Sequence, residues 1–232
     1  MQTLLRMRLI LLLLASSFLW TCNTTEQAIP QPRVFTYLAL GDSYTIGHSV
    51  EEAERYPNQL ADSLEQQSII LTPVDIVAKT GWTTDELDAG INARTDLQDT
   101  YDLVSLLIGV NNEYRGRSVA SYEPEFRALL DRAIAFAGGQ RERVFVVSIP
   151  DYAFTPFGQG NPAISEDIDE YNAANKRITE EYGIKYFDIT PISREGINQP
   201  DLVADDRLHP SGLQYSRWVS SFYNEVAAML ED

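Results

Sequence analysis

Short apolar runs alternate along this chain with stripes of helical spacing. Residues 34–40 form a compact apolar run that ends at Gly41, and Tyr56, Leu60 and Leu64 then recur every four residues, as one face of a helix requires. Ile69–Ala78 predicts a second strand, with Pro73 near its start, and Thr84–Ala93 a helix with a weaker stripe. Residues 103–108 predict a third strand, apolar except for Ser105. Phe126, Leu129, Leu130, Ala133, Ile134 and Ala137 mark a helix that Gly138-Gly139 ends. Residues 144–149 predict a fourth strand, stopped by Pro150. Ile164, Ile168, Tyr171, Ile178 and Tyr182 form the next helical stripe, with Ser165 as its N-cap and Gly183 as its stop. Residues 184–189 give a fifth strand, and Trp218, Val219, Phe222, Val226, Met229 and Leu230 a C-terminal helix.

Five apolar strands separated by helices predict an α/β fold: a three-layer α/β/α sandwich around a five-stranded parallel sheet, buried on both faces. Ligands of such sheets bind beyond the carboxyl ends of the strands, so functional residues are expected directly after strands. The sequence shows no internal repeat and no linker to a second folded domain.

The segment before the first strand is different in kind. Arg6 and Arg8 precede an apolar run from Leu9 to Leu14, extended through Ala15, Phe18, Leu19 and Trp20. That is shorter than the ~20 residues of a spanning helix but suits the apolar core of an export signal. Residues 1–21 are therefore expected to be a signal peptide. Cys22, the only cysteine, follows at once, and Leu19-Trp20-Thr21-Cys22 resembles a bacterial lipobox, in which the cysteine is lipidated and becomes the mature N-terminus. Thr21 stands where Gly, Ala or Ser is usual. A plain signal cleaved nearby, with Cys22 incidental, is the alternative. Residues 22–32 then read as anchor and polar tether, and 33–232 as the folded domain. This organisation predicts an exported protein, periplasmic or at the cell surface, held to a membrane by its lipid.

The 232 residues suit one domain, and the net charge of −16 bears on partners. Loss of the signal removes two arginines and leaves −18. So acidic a chain is repelled by phosphate backbones, which argues against nucleic acid as a partner, yet a neutral ester remains acceptable. Protein partners are not legible.

Three segments after strands and one near the C-terminus carry candidate chemistry. Gly41-Asp42-Ser43-Tyr44 follows the first strand and exposes a serine on a strand-to-helix turn. Gly81, in Lys79-Thr80-Gly81-Trp82, follows the second, where the lack of a Cβ lets its N–H approach a ligand. Asn111, in Gly109-Val110-Asn111-Asn112, follows the third and can donate its amide to an oxyanion. Asp205-Asp206-Arg207-Leu208-His209-Pro210 lies near the C-terminus, with a carboxylate three residues before an imidazole that it can orient. Singly, each is compatible with ordinary turn chemistry. The only other histidine, His48, lies in the loop after Ser43, so His209 has little competition as a base.

Together, in this order, the four blocks resemble those of the SGNH/GDSL hydrolases, over essentially the whole chain after the tether. Ser43, Gly81, Asn111 and His209 match the four residues that name that family, and Asp206-x-x-His209-Pro210 is its most specific block. Arg55-Tyr56-Pro57 also looks familiar from the family. One departure is Asn112, where Asp is common. The resemblance implies a flavodoxin-like fold and a serine esterase. In it Ser43, Asp206 and His209 form the triad, and the N–H groups of Ser43 and Gly81 with the Asn111 amide form the oxyanion hole. It implies no cofactor and no metal. Two histidines and no thiol after the tether also argue against zinc, while carboxylate-only ion sites stay open.

Substrate is harder to read. Tyr152, Phe154 and Phe157 follow the fourth strand and are candidates for the substrate rim, or simply anchors of a long loop; Glu113, Tyr114, Arg115 and Arg117 could edge the same cleft. The expected substrate is a small-molecule, glycan or lipid ester, with small acyl groups or carbohydrate O-acetyl esters slightly favoured. Lysophospholipase or thioesterase action on longer chains is the alternative. A catalytically silent module binding glycan or lipid is a reading from another class. Nucleotide binding fits the sheet type but finds no glycine-rich phosphate loop.

Overall fold

A computed structural model describes residues 31–231. The expectations for the signal peptide, for Cys22 and for most of the tether lie outside the described residues.

The sheet has five parallel strands in the order β2-β1-β3-β4-β5, with β1 at Arg33–Gly41, β2 at Ile69–Ala78, β3 at Leu103–Leu107, β4 at Val144–Val147 and β5 at Lys185–Phe187. Helices α1 (Ser43–Ile46), α2 (Tyr56–Glu65), α3 (Thr84–Ala93), α4 (Val110–Tyr114), α5 (Val119–Phe136), α6 (Pro162–Glu181), α7 (Thr190–Ser193) and α8 (Gly212–Met229) complete it. Helix α2 packs on α8, while α5 packs on both α3 and α6. The expected sandwich is what forms. Strand order reverses at β1, which pairs with β2 on one side and β3 on the other. The crevice of a doubly wound sheet opens at that switch point.

Tyr37 to Leu40, all fully buried, make β1 the centre of the core. Ser105, the polar exception in β3, sits between two tyrosine hydroxyls, 2.8 Å from Tyr37 Oη and 3.0 Å from Tyr56 Oη. A buried hydroxyl is tolerated there because it is paired. Phe222 of α8 stacks on Phe187 of β5 at 4.9 Å, and Trp218 is fully buried beside it. Truncating such a ring to alanine costs about 3–5 kcal/mol.

Three local expectations change. Pro73 lies inside β2, at a register shift against β1 between Phe35 and Tyr37. An edge strand with a bulge there has no ladder bond for proline to break. Helix α6 starts earlier than expected, with Asn161 as N-cap accepting from Ala163 N–H and Pro162 in the first turn. Ser165 instead donates to Asp151 Oδ2 at 2.7 Å. The fifth strand is only three residues long, because Ser148 Oγ accepts the backbone N–H groups of Ile189 and Thr190 and turns the chain into α7.

Candidate active site

Ser43 is the first residue of α1, directly after β1. Asp42 caps this short helix, with Oδ1 accepting Tyr44 N–H at 3.0 Å. The turn is tight. A Cβ at Gly41 would stand 2.4 Å from the Leu107 carbonyl oxygen of β3 and 2.1 Å from Thr45 Oγ1, so only glycine lets α1 fold back this closely. As the first residue of a helix, Ser43 has a backbone N–H without an intrahelical partner. Asp42 is buried, its Oδ2 finds no partner among the described residues, and burial pushes its carboxyl up to about 7.

The loop that carries His209 is built differently. Residues 203–210 form a hairpin closed at its neck by the Val203–Pro210 bridge and by Ala204 N–H donating to His209 O at 2.8 Å. Inside it, His209 Nδ1 lies 2.6 Å from Asp206 Oδ2. Asp206 also accepts the backbone N–H groups of Leu208 and His209, both at 2.9 Å, and the Ser49 hydroxyl at 2.7 Å. Burial alone would raise the Asp206 carboxyl, but these hydrogen bonds hold it well below the usual carboxylate range. His209 is buried, and that lowers its pKa; His48 nearby adds to the fall, and Asp206 opposes it.

Gly81 has φ +88°, a conformation that disfavours a side chain even though a Cβ there would meet nothing within 4 Å. Arg115 Nη2 donates to the Gly81 carbonyl at 2.6 Å and holds this loop from α4. The Asn111 amide donates to the Trp82 carbonyl at 2.9 Å. One of its two N–H bonds is thereby spent on orientation, and the other has no partner among the described residues. The neighbouring Asn112 explains the departure from Asp. Its Oδ1 accepts Thr84 N–H at 3.1 Å, its Nδ2 donates to Thr84 Oγ1 at 2.7 Å, and Thr84 Oγ1 in turn donates to Glu125. A carboxylate in place of the amide would compete with Glu125 for that single hydroxyl proton.

Ser43, Gly81, Asn111 and His209 all line one cavity of about 220 Å³, with Thr80, Val110, Leu208 and an aromatic wall. The fold thus brings together, from four separate loops, the residues that the sequence order nominates.

A family model described as the GDSL-like Lipase/Acylhydrolase family matches residues 39–217, well over half the chain. The chain belongs to this family. It is accordingly an ester-bond hydrolase of the GDSL (SGNH) type. No curated protein matches the sequence significantly. Solved structures agree on the fold. TesA is 16% identical with a TM-score of 0.67, covering 84% of this chain and 99% of its own. The lipase/acylhydrolase from Enterococcus faecalis is 16% identical with a TM-score of 0.65, covering 83% and 95%. Axe2, an acetylxylan esterase from Geobacillus stearothermophilus, is 20% identical with a TM-score of 0.63, covering 85% and 96%.

In this GDSL hydrolase the aromatic wall comprises Tyr114, Tyr152 and Phe157, with ring centroids 6.2–6.4 Å apart. Tyr152 and Phe157 line the cavity. Phe154 does not line the cavity. It ends the turn Tyr152–Phe154, whose start is fixed by Asp151 accepting Ala153 N–H, so the ring three residues before Phe157 is carried elsewhere. Of Glu113, Tyr114, Arg115 and Arg117, only Tyr114 lines the cavity. Arg115 and Arg117 pair with Glu86 and Asp85. Glu113 is half-buried beneath Tyr152, whose hydroxyl donates to it at 3.3 Å, and burial pushes its carboxyl up to about 7. Sequence reasoning missed Ser49 and the proximity of His48, because neither belongs to a motif. The one available signal was their place in the loop directly after Ser43.

Proposed function

We propose that this hydrolase is a serine esterase of short acyl esters, with O-acetyl groups on carbohydrate favoured, working through an acyl-enzyme on Ser43. Ser43 Oγ attacks the ester carbonyl while neutral His209 takes its proton. The developing oxyanion is held by the N–H groups of Ser43 and Gly81 and the free N–H of the Asn111 amide. The tetrahedral intermediate expels the alcohol, which receives its proton from His209. Water then repeats the sequence on the acyl-enzyme and frees the acid. Asp206 fixes the tautomer of His209 and stabilises its charged form.

The observation that carries this reading is that His209, whose Nδ1 pairs with Asp206 at 2.6 Å, lines the cavity that Ser43 also lines. The preference for short acyl groups rests on size: about 220 Å³ falls below the roughly 300–1,000 Å³ of sites for drug-sized ligands. A fluorophosphonate probe is expected to label the wild type and not Ser43→Ala. Folded wild type that takes no label would mean a silent binding module. Nitrophenyl esters of graded length test the acyl preference, with the rate expected to peak at acetate. A rate that climbs through long chains would assign the lipid or thioester reading instead. The name of Axe2 suggests acetylated xylan as one natural substrate to try.

For localisation, the proposal remains export with removal of residues 1–21 and lipidation of Cys22, supported by the Arg6/Arg8 pair, the apolar run and the cysteine that ends it. Metabolic labelling with a radioactive fatty acid should mark the wild type, and Cys22→Ala should lose the label and leave the membrane fraction.

A further inference from the structure

His48 and His209 are far apart in sequence yet face one carboxylate. Their ring centroids are 4.6 Å apart. His48 Nε2 lies 3.9 Å from Asp206 Oδ2, and His209 Nδ1 lies 2.6 Å from the same atom. One ligand atom from each of the three residues falls within 4.8 Å of the other two. The count of two histidines and no thiol after the tether speaks against zinc on sequence grounds, but the fold gathers both histidines at a single point.

We propose that His48, Asp206 and His209 form a site for Zn²⁺ or a similar first-row divalent ion, and that the bound ion switches the esterase off. Two imidazoles and a carboxylate are a zinc donor set, with water as the fourth ligand; magnesium and calcium, which prefer oxygen alone, do not suit it. Metal bonds of about 2.1 Å in a tetrahedron put ligand atoms about 3.4 Å apart. The 3.9 Å pair has to close by about half an ångström and the 2.6 Å pair has to open by about 0.8 Å, while the two histidine nitrogens, within 4.8 Å of each other, have to close by up to about 1.4 Å. His48 has the freedom to move, since its side chain is 45% exposed. It is also already oriented. Its Nδ1 is hydrogen-bonded to Thr80 Oγ1 at 3.0 Å, and when Nδ1–H is the donor the lone pair lies on Nε2, toward Asp206. Metal-bound histidines are fixed by such outer partners. At 3.9 Å, Nε2 is too far from Asp206 to spend that lone pair's side of the ring on a hydrogen bond.

The inhibition follows from proton placement, and it rests on the reading of His209 as the base. Without metal, Nδ1–H of His209 donates to Asp206, and Nε2 carries the lone pair that receives a proton from serine. A metal on Nδ1 takes that position's lone pair. The single proton of the neutral ring then sits on Nε2, and the ring has no site left to accept another. No proton is gained or lost on binding; only the tautomer changes.

The experiment uses the full chain and Zn²⁺ alone. Calorimetric titration of Ser43→Ala measures binding without turnover, and one ion per chain is expected. His48→Asn and His48→Gln, added to that background, should bind at least about a hundredfold more weakly, the upper range for loss of even an outer partner. Thr80→Val should weaken binding about tenfold. In the active protein, micromolar Zn²⁺ should inhibit acetate ester hydrolysis and EDTA should restore it. Compared on the pH plateau above the acid limb that His48 helps to set through His209, His48→Asn should lose the inhibition by Zn²⁺ that the wild type shows. Binding and inhibition that persist unchanged in both His48 variants would overturn the proposal, as would a Ser43→Ala protein that takes up no ion. Binding that depends on His48 in a wild type without esterase activity would leave the site standing and remove the esterase reading.

Discussion

An early and a late part of the chain supply the two groups proposed to react by opposite means. At the start, Ser43 is held by backbone: an inner strand buried from Tyr37 onward, a glycine pressed against the next strand, and one turn of helix. Near the finish, His209 is held by side-chain hydrogen bonds inside a surface hairpin, with Asp206 accepting four donors at once. The serine end stands or falls with the core. The histidine end can be loosened one bond at a time, so the two should respond differently to substitution.

The largest effect is expected from Ser43→Ala, which should lower kcat by about 10⁴-fold or more while leaving the melting temperature near that of the wild type. At the other end, Asp206→Asn should reduce kcat/KM by about 10²- to 10⁴-fold, with the acyl-enzyme still forming slowly on a fluorophosphonate time course. Asn111→Ala removes one oxyanion donor and should cost about 10²–10³ in kcat with little change in KM. Gly81→Ala forces a side chain into φ +88° and should destabilise the fold by about 1–3 kcal/mol in denaturant unfolding. The smallest change is at Ser49, which gives Asp206 only one of its hydrogen bonds; Ser49→Ala should slow turnover about three- to tenfold.

The pH profile sharpens the same contrast. Burial lowers the pKa of His209, so the base stays neutral and the acid limb of kcat/KM should fall below the ordinary histidine value of about 6.5. Asp206 opposes that lowering, so the residual activity of Asp206→Asn should titrate at still lower pH. For stability the sign is fixed by proton uptake. With the folded value below the unfolded one, the unfolded chain binds more protons as pH drops through about 6.5, and His209's contribution is lost from there downward.

Much of this was legible in the sequence wherever a pattern extends over several residues. Helix α3 and strand β2 begin and end where the apolar spacing puts them. Ser43, Gly81 and Asn111 were legible because each follows a strand, and His209 because Asp206 stands three residues before it. What escaped was decided by single tertiary contacts. Ser165 carries the chemistry of a cap but is drawn to the buried Asp151, and Asn161 with Pro162 takes the role. Phe154 and Phe157 look alike in sequence, and only the turn between them sends one ring to the cavity. Helices α1 and α4, four and five residues long, are too short to show a stripe. Ser49 and His48 gain meaning only when a hairpin some 160 residues later folds beside them.

Phe157 N–H donates to the carbonyl oxygen of Arg207 at 3.0 Å, and Arg207 holds the left-handed φ of +68° at the tip of the base hairpin. The wall that an acyl group would press against is thus bolted to the turn that carries the imidazole. Libraries that randomise residues 154–158 to redirect selectivity will therefore shift catalytic rate along with affinity, and a variant rescued in one will need its partner turn redesigned with it.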